Sequence, residues 1–294
     1  MTAEKIRTEK QREAAQSFLE GIRGREVPAP GIYRDVPMER YLDWAALSSG
    51  IAREMIDRSP SHAKYRYDHP EPAKPYTDLG TAIHACALEP DLFAARYRIV
   101  AGPWNANPGK RDKVAAEEDG YVAIKPEDYS ACIVARTNLQ AHTRIGKLFA
   151  DPDAMREVSV VFEWPTEHGP VICKLRADLL SQRYGMCADL KSTTNANRRP
   201  FLSVCRQMGY HYKAAFYVEG LAQAGLDVQH YLIPAVEQAE PCGVRAYAFS
   251  MATMNQAGLA VEGAVTQWAA CKAVGRWPGY DDGIEELGVE GDYL

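Results

Sequence analysis

The amino-acid sequence predicts an α/β (α+β) fold, and three observations carry that prediction. Residues 174–194 hold two short runs with a period of two around a polar turn, Ser181-Gln182-Arg183-Tyr184-Gly185. Val158–Trp164, rich in β-branched residues, precedes them across a Gly169-Pro170 turn, giving three consecutive antiparallel strands. Segments with helical apolar spacing lie on both sides of this group in the sequence.

Length and composition narrow the class. The chain has 294 residues, 46% hydrophobic and 25% charged, as in ordinary globular proteins. No apolar run approaches the length of a membrane span, and MTAEKIRTEKQREAAQ is too polar for a signal peptide. Seven cysteines without close pairs point to reduced thiols in a cytoplasm and lack zinc-knuckle or iron–sulfur spacing. The net charge of −5 gives no global signature of nucleic-acid binding, although a basic surface can be local. The pieces NPGK and KRDK within 101–118 do not complete a phosphate loop, which leaves a polar loop followed by helix.

The elements follow in order. Residues 2–25 read as a charged helix stopped by Pro28 and Pro30, so 1–30 is expected to be an N-terminal arm and 31–294 one domain. Ser48 or Ser49 can cap a helix whose buried stripe is Leu47, Ile51 and Met55, and Ser59-Pro60 starts a second one. Thr77 or Asp78 caps a helix with Leu79, Ile83, Cys86 and Ala87 inward, on which Gly80 and His84 share a face. Glu89, at its end, is expected to fix the following loop. Residues 126–149 predict an amphipathic helix with Ile133, Leu139, Ile145 and Leu148 inward.

A long helix is expected over 200–224, with Arg206, Tyr210, Lys213 and Tyr217 in one stripe and Val204, Cys205, Met208, Ala215 and Phe216 opposite. A cationic and aromatic stripe is suited to gripping a nucleic-acid strand. Strands at 228–236 and 244–250 and a helix over 251–273 follow, before an acidic, Gly-rich tail from about 279.

Chemistry concentrates in the central hairpin. Lys174, Arg176 and Asp178 share one strand face; Cys187, Asp189 and Lys191 share one face of the next strand. A turn centred on Arg183-Tyr184 makes Asp178 and Asp189 cross-strand partners, with Cβ atoms roughly 5 Å apart. Facing carboxylates repel, and a divalent cation between them relieves that repulsion; oxygen ligands suit Mg²⁺ or Mn²⁺. Lys191 then points a positive charge into the same site. On this reading Asp189→Ala removes a ligand and a repulsion together, abolishing catalysis while sparing the fold.

SPSHAKYR, GTAIHACALEP, the set Asp178…Asp189-Leu190-Lys191, and YHYKAAFY occur in this order between about Tyr33 and Pro278. Together they resemble the RecE-like exodeoxyribonuclease (exonuclease VIII type) branch of the PD-(D/E)xK nuclease superfamily, a group carried by phages and prophages. The resemblance implies a restriction-endonuclease-like core, a central mixed sheet flanked by helices. It implies that His84, Asp178 and Asp189 bind Mg²⁺ or Mn²⁺, with Lys191 catalytic beside the two aspartates, and that Arg206, Tyr210, Lys213 and Tyr217 meet DNA. Lys213 departs from the pattern, which has Gln there; Gln donates and accepts, whereas Lys only donates. The implied activity is 5′→3′ degradation of linear duplex DNA to 3′ overhangs, in a homo-oligomer working with a single-strand annealing protein, in a bacterial or phage-infected cytoplasm. Two alternatives stand beside it: a Cas4-like single-strand or structure-specific endonuclease, and a catalytically inactive DNA-binding phage protein on the same scaffold.

Overall fold

Alternating apolar residues and a tight Thr166–Gly169 turn build the longest hairpin of the molecule, and the other strands add to its two edges. In the computed structural model, which describes residues 26–71 and 78–284, the elements run β1 (Gly31–Tyr33), α1 (Met38–Asp43), β2 (Leu47–Ser48), α2 (Ser49–Asp57), α3 (Pro60–Asp68), α4 (Leu79–Leu88) and α5 (Pro90–Arg96). Then come β3 (Tyr97–Ile99), α6 (Gly109–Glu118), β4 (Val122–Ile124), α7 (Pro126–Ala141), α8 (Gly146–Phe149), β5 (Met155–Trp164) and β6 (Val171–Ser181). The chain continues through β7 (Met186–Ala188), β8 (Lys191–Thr193), α9 (Arg198–Gln207), α10 (Tyr210–Gln223), β9 (His230–Glu237), β10 (Val244–Tyr247) and α11 (Met251–Val274). Most of the arm expected over 1–30, Thr77 and the end of the tail lie outside the described residues.

The main sheet runs β1-β5-β6-β7-β9-β10, with β2 parallel to β6 and β8 parallel to β9. β5, β6 and β7 are antiparallel as expected, and β7 then meets β9 in parallel. The sheet is therefore mixed, and both its faces are covered. On one side Phe162, Leu175, Phe216 and Trp268 belong to one apolar cluster formed with α2, α10 and α11. On the other, Ile83, Leu139, Leu179 and Leu190 join α4, α7 and the sheet. Gly220 lets α10 lie directly on the sheet, because a Cβ there would come within 2.4 Å of Phe162 and 2.8 Å of Leu175.

Three expectations change. The helix read over 126–149 ends at Ala141 and resumes at Gly146, and Ile133 is 38% exposed rather than inward. The long helix over 200–224 is two helices, broken at Gly209, whose φ of 62° is a left-handed conformation open to glycine. Arg53 fills the break by donating to the carbonyls of Gln207 (2.8 Å) and Met208 (2.9 Å), which leaves Met208 47% exposed instead of in the core. All seven cysteines are buried and free. No described helix is long and apolar enough to cross a membrane.

Candidate functional site

The hairpin expectation rests on register, and the register is observed. Leu179 pairs with Ala188 and Leu180 with Cys187, so the next step of the ladder sets Asp178 opposite Asp189. On the other edge of β6, Arg156 pairs with Leu179 and Val158 with Ala177, and the skipped step sets Glu157 opposite Asp178. Glu157 has a φ of 48°, which interrupts the ladder there. Met155 and Val158 both pack in the first apolar cluster, as do Ala177 and Leu180. The two-residue alternation thus slips by one at Glu157 and Asp178, turning both carboxylates toward α4.

Helix α4 brings the imidazole. Asp78 caps it through the Thr81 amide at 2.7 Å, and its apolar side packs in the second cluster. Gly80 sets the height of the helix over β8: a Cβ there would stand 2.6 Å from the Ser192 hydroxyl, 3.1 Å from Asp78 and 3.2 Å from Gln238. His84, one turn on, reaches the Asp178 Oδ2 with Nε2 at 3.0 Å and the Glu157 Oε1 with Nδ1 at 3.3 Å. Gly80→Val is expected to push α4 off β8, lowering stability by about 1–3 kcal/mol and loosening the His84–Asp178 contact. Thermal melts and the His84 imidazole NMR shifts check both effects.

Donor atoms of His84, Glu157 and Asp178 lie within 4.8 Å of one another. Glu157 was not singled out from the sequence. Its signal is there, since extending the β5–β6 hairpin from Trp164 opposite Val171 puts Glu157 opposite Asp178. Arg176 steadies Glu157 from behind, donating Nε to its Oε2 at 2.7 Å and Nη1 to the Val36 carbonyl at 2.7 Å. Asp178 also accepts the Leu190 amide at 2.9 Å.

Asp189 stands outside the three-donor cluster. It is 2% exposed, and its oxygens are in contact with Lys213 (2.6 Å) and Lys191 (2.5 Å). The two lysines lie over the rings of Tyr217 (4.8 Å) and Tyr210 (5.1 Å) respectively. The structure thus brings His84, Asp178, Asp189, Lys191, Lys213 and Tyr217 to one place, most of them lining a cleft of about 400 Å³. It does not present Arg206, Tyr210, Lys213 and Tyr217 as one surface stripe. Arg206 is exposed at the end of α9, before the break at Gly209, whereas Tyr217 is buried and donates its hydroxyl to the Arg176 carbonyl at 3.0 Å. A strand-gripping surface becomes, for Lys213 and Tyr217, the wall of the cleft.

Electrostatics follow from this crowding. Burial works against ionisation of Asp178, but His84, then Lys213 and Lys191, hold its carboxyl far below the usual range. Burial, then repulsion from Asp178, pushes Glu157 up. Burial alone would depress the His84 imidazole, yet Asp178 and Glu157 overcome it and raise its pKa. Burial drives the Tyr217 phenol up to about 12, so it stays a neutral donor.

Two carboxylates, which are hard oxygen donors, and an imidazole, a borderline nitrogen donor, face the cleft as a set able to hold a divalent metal ion. An ion held by this set would require a neutral His84 and an ionised Glu157, whereas the raised pKa of each group favours its protonated form. Binding therefore expels protons, and Mn²⁺ affinity is expected to climb with pH across the neutral range, by about tenfold per unit for each proton released. Calorimetry at pH 6, 7 and 8 in buffers of different ionisation enthalpy checks the sign.

A family model described as "PDDEXK-like domain of unknown function (DUF3799)" matches residues 56–287, a span that includes the cleft residues from His84 to Lys213. A crystal structure of a "Putative exonuclease" from Eubacterium rectale is similar with a TM-score of 0.53 at 11% identity, over 83% of this chain and 88% of that one. A second solved structure, SSO0001, reaches a TM-score of only 0.30 at 12% identity, over 63% of this chain and 84% of that one. No curated protein matches the chain by sequence.

Proposed function

We propose that this chain, which belongs to the PDDEXK-like family DUF3799, is a divalent-metal-dependent nuclease that shortens linear duplex DNA from its ends, 5′→3′, leaving 3′ overhangs. The observation that carries the reading is the meeting of His84, Glu157 and Asp178 within 4.8 Å in the cleft that Lys191 also lines. His84, Glu157 and Asp178 would hold the ion, which supplies a more acidic bound water and charge neutralisation at the scissile phosphate. The protein's own groups do the rest. Arg176 fixes Glu157, and the Leu190 amide fixes Asp178. Lys191, anchored on Asp189, offers its remaining N–H groups to the attacking water and to the phosphate oxygens as they gain charge.

The exonuclease reading follows the RecE-type resemblance and the word exonuclease in the name of the Eubacterium rectale protein, and the 5′→3′ polarity follows the resemblance alone. In the same reading the 3′ strand passes to a single-strand annealing protein, and the nuclease works as a homo-oligomer in the cytoplasm. Linear duplex labelled at either 5′ or 3′ ends, incubated with Mg²⁺ or with EDTA, tests the proposal. Mg²⁺-dependent release of mononucleotides from the 5′ end is expected. Discrete internal fragments would make it an endonuclease, and binding without cleavage would make it a DNA-binding scaffold.

A further inference from the structure

We infer that Lys213 is the resident second cation of the cleft: its ammonium holds Asp189 where a second divalent ion would otherwise bind, so the protein takes up one metal ion per chain. The inference rests on the metal-site reading above and deepens it.

The donors of the cleft divide into two sets. His84, Glu157 and Asp178 form a cluster with a cation-sized spread of 4.8 Å. Asp189, across the ladder from Asp178, lies outside that cluster with both oxygens against ammonium groups, at 2.6 Å from Lys213 and 2.5 Å from Lys191. Paired catalytic ions stand about 3.5–4 Å apart and share carboxylates. A second ion between Asp178 and Asp189 would have to evict an ammonium group from a carboxylate that is 2% exposed.

The permanent cations are distributed the same way: Arg176 pairs with Glu157, Lys191 and Lys213 both pair with Asp189, and Asp178 pairs with the imidazole of His84, whose charge depends on its proton. Glu89 also lines the cleft but lies outside the three-donor cluster. Lys213 is also held in place. Its stem rises from α10, which Gly220 seats on Phe162 and Leu175, and its ammonium lies 4.8 Å from the centre of the Tyr217 ring. A glutamine there, the residue of the resembled pattern, could still donate a hydrogen bond but would bring no charge, leaving Asp189 with the Lys191 ammonium alone.

The test counts metal. Titration of the full chain with Mn²⁺, followed by calorimetry and by the electron paramagnetic resonance of bound Mn²⁺, is expected to give one mononuclear ion per chain. Lys213→Gln should take up two, with the spin-coupled signal of a pair, and Lys213→Arg should stay at one. Lys213→Met, which keeps the apolar stem, is the second neutral variant, read in the same way should the glutamine fail to fold by circular dichroism. Two ions in the unaltered protein, or one in it and in the folded neutral variant alike, would overturn the role of Lys213. No Mn²⁺ bound to the unaltered protein would overturn the metal-site reading itself, a separate and recognisable failure.

Discussion

Replacing Asp189 with alanine is expected to destabilise the protein by about 3 kcal/mol or more, and to abolish cleavage with it. Removing one partner of a buried ion pair leaves an uncompensated charge, which costs about 3–5 kcal/mol. Here two ammonium groups lose their partner. Lys191 and Lys213 keep 18% and 26% of their side-chain exposure, which moves the cost toward the lower end of that range. Sequence reasoning predicted a spared fold, because facing aspartates alone repel and the loss of one is harmless. The lysine on α10 turns that neutral change into a costly one. Urea denaturation checks it: a midpoint equal to that of the unaltered protein would return Asp189 to the role of a simple ligand. Lys213→Met in the Asp189→Asn background should restore part of the loss, since it removes one of the stranded charges, and the double-mutant cycle reports the pair energy.

Much of the hairpin was legible because strand pairing obeys counting rules. A turn centred on Arg183-Tyr184 fixes every cross-strand pair below it, and the observed pairs Leu179–Ala188 and Leu180–Cys187 obey that centre. The caps at Ser48, Ser59 and Asp78 were legible too, being short side chains directly before apolar helices. Glu157 was harder. It lies just before the β-branched run Val158–Trp164 that reads as strand, next to Arg156, and its left-handed backbone is not written in local composition. Only extension of the preceding hairpin by seven steps reveals its partner. The break at Gly209 was hidden for a related reason: a glycine inside a helical pattern reads as a tolerated defect until Arg53, from a distant helix, is seen occupying its carbonyls. The parallel pairing of β7 and β8 with β9 joins segments about forty residues apart in sequence, where no turn rule applies.

Lys191→Met separates catalysis from metal binding more cleanly than any other change in the cleft. The ammonium of Lys191 touches Asp189 and approaches the Leu190 carbonyl at 3.4 Å, and its charge acts on Asp178 and His84 without an ion pair to either. Asp189 keeps Lys213 in the variant, so its carboxylate is not stranded, and methionine keeps an unbranched apolar stem while removing the ammonium that lies over Tyr210. Stability should therefore fall by about 1–3 kcal/mol, the cost of leaving one buried carboxylate oxygen without its partner, and by less than for Asp189→Ala. Mn²⁺ affinity should stay within a few-fold. Cleavage should drop by about 10²–10³-fold, the usual effect of deleting one preorganised donor aimed at charge that develops in the transition state. Single-turnover rates at saturating Mn²⁺, set beside calorimetric affinities, decide the matter. If metal binding vanishes along with cleavage, Lys191 holds the ligands in place; if cleavage survives at the original rate, the ammonium facing the substrate belongs to another residue, and Lys213 is the next nearest on the same carboxylate.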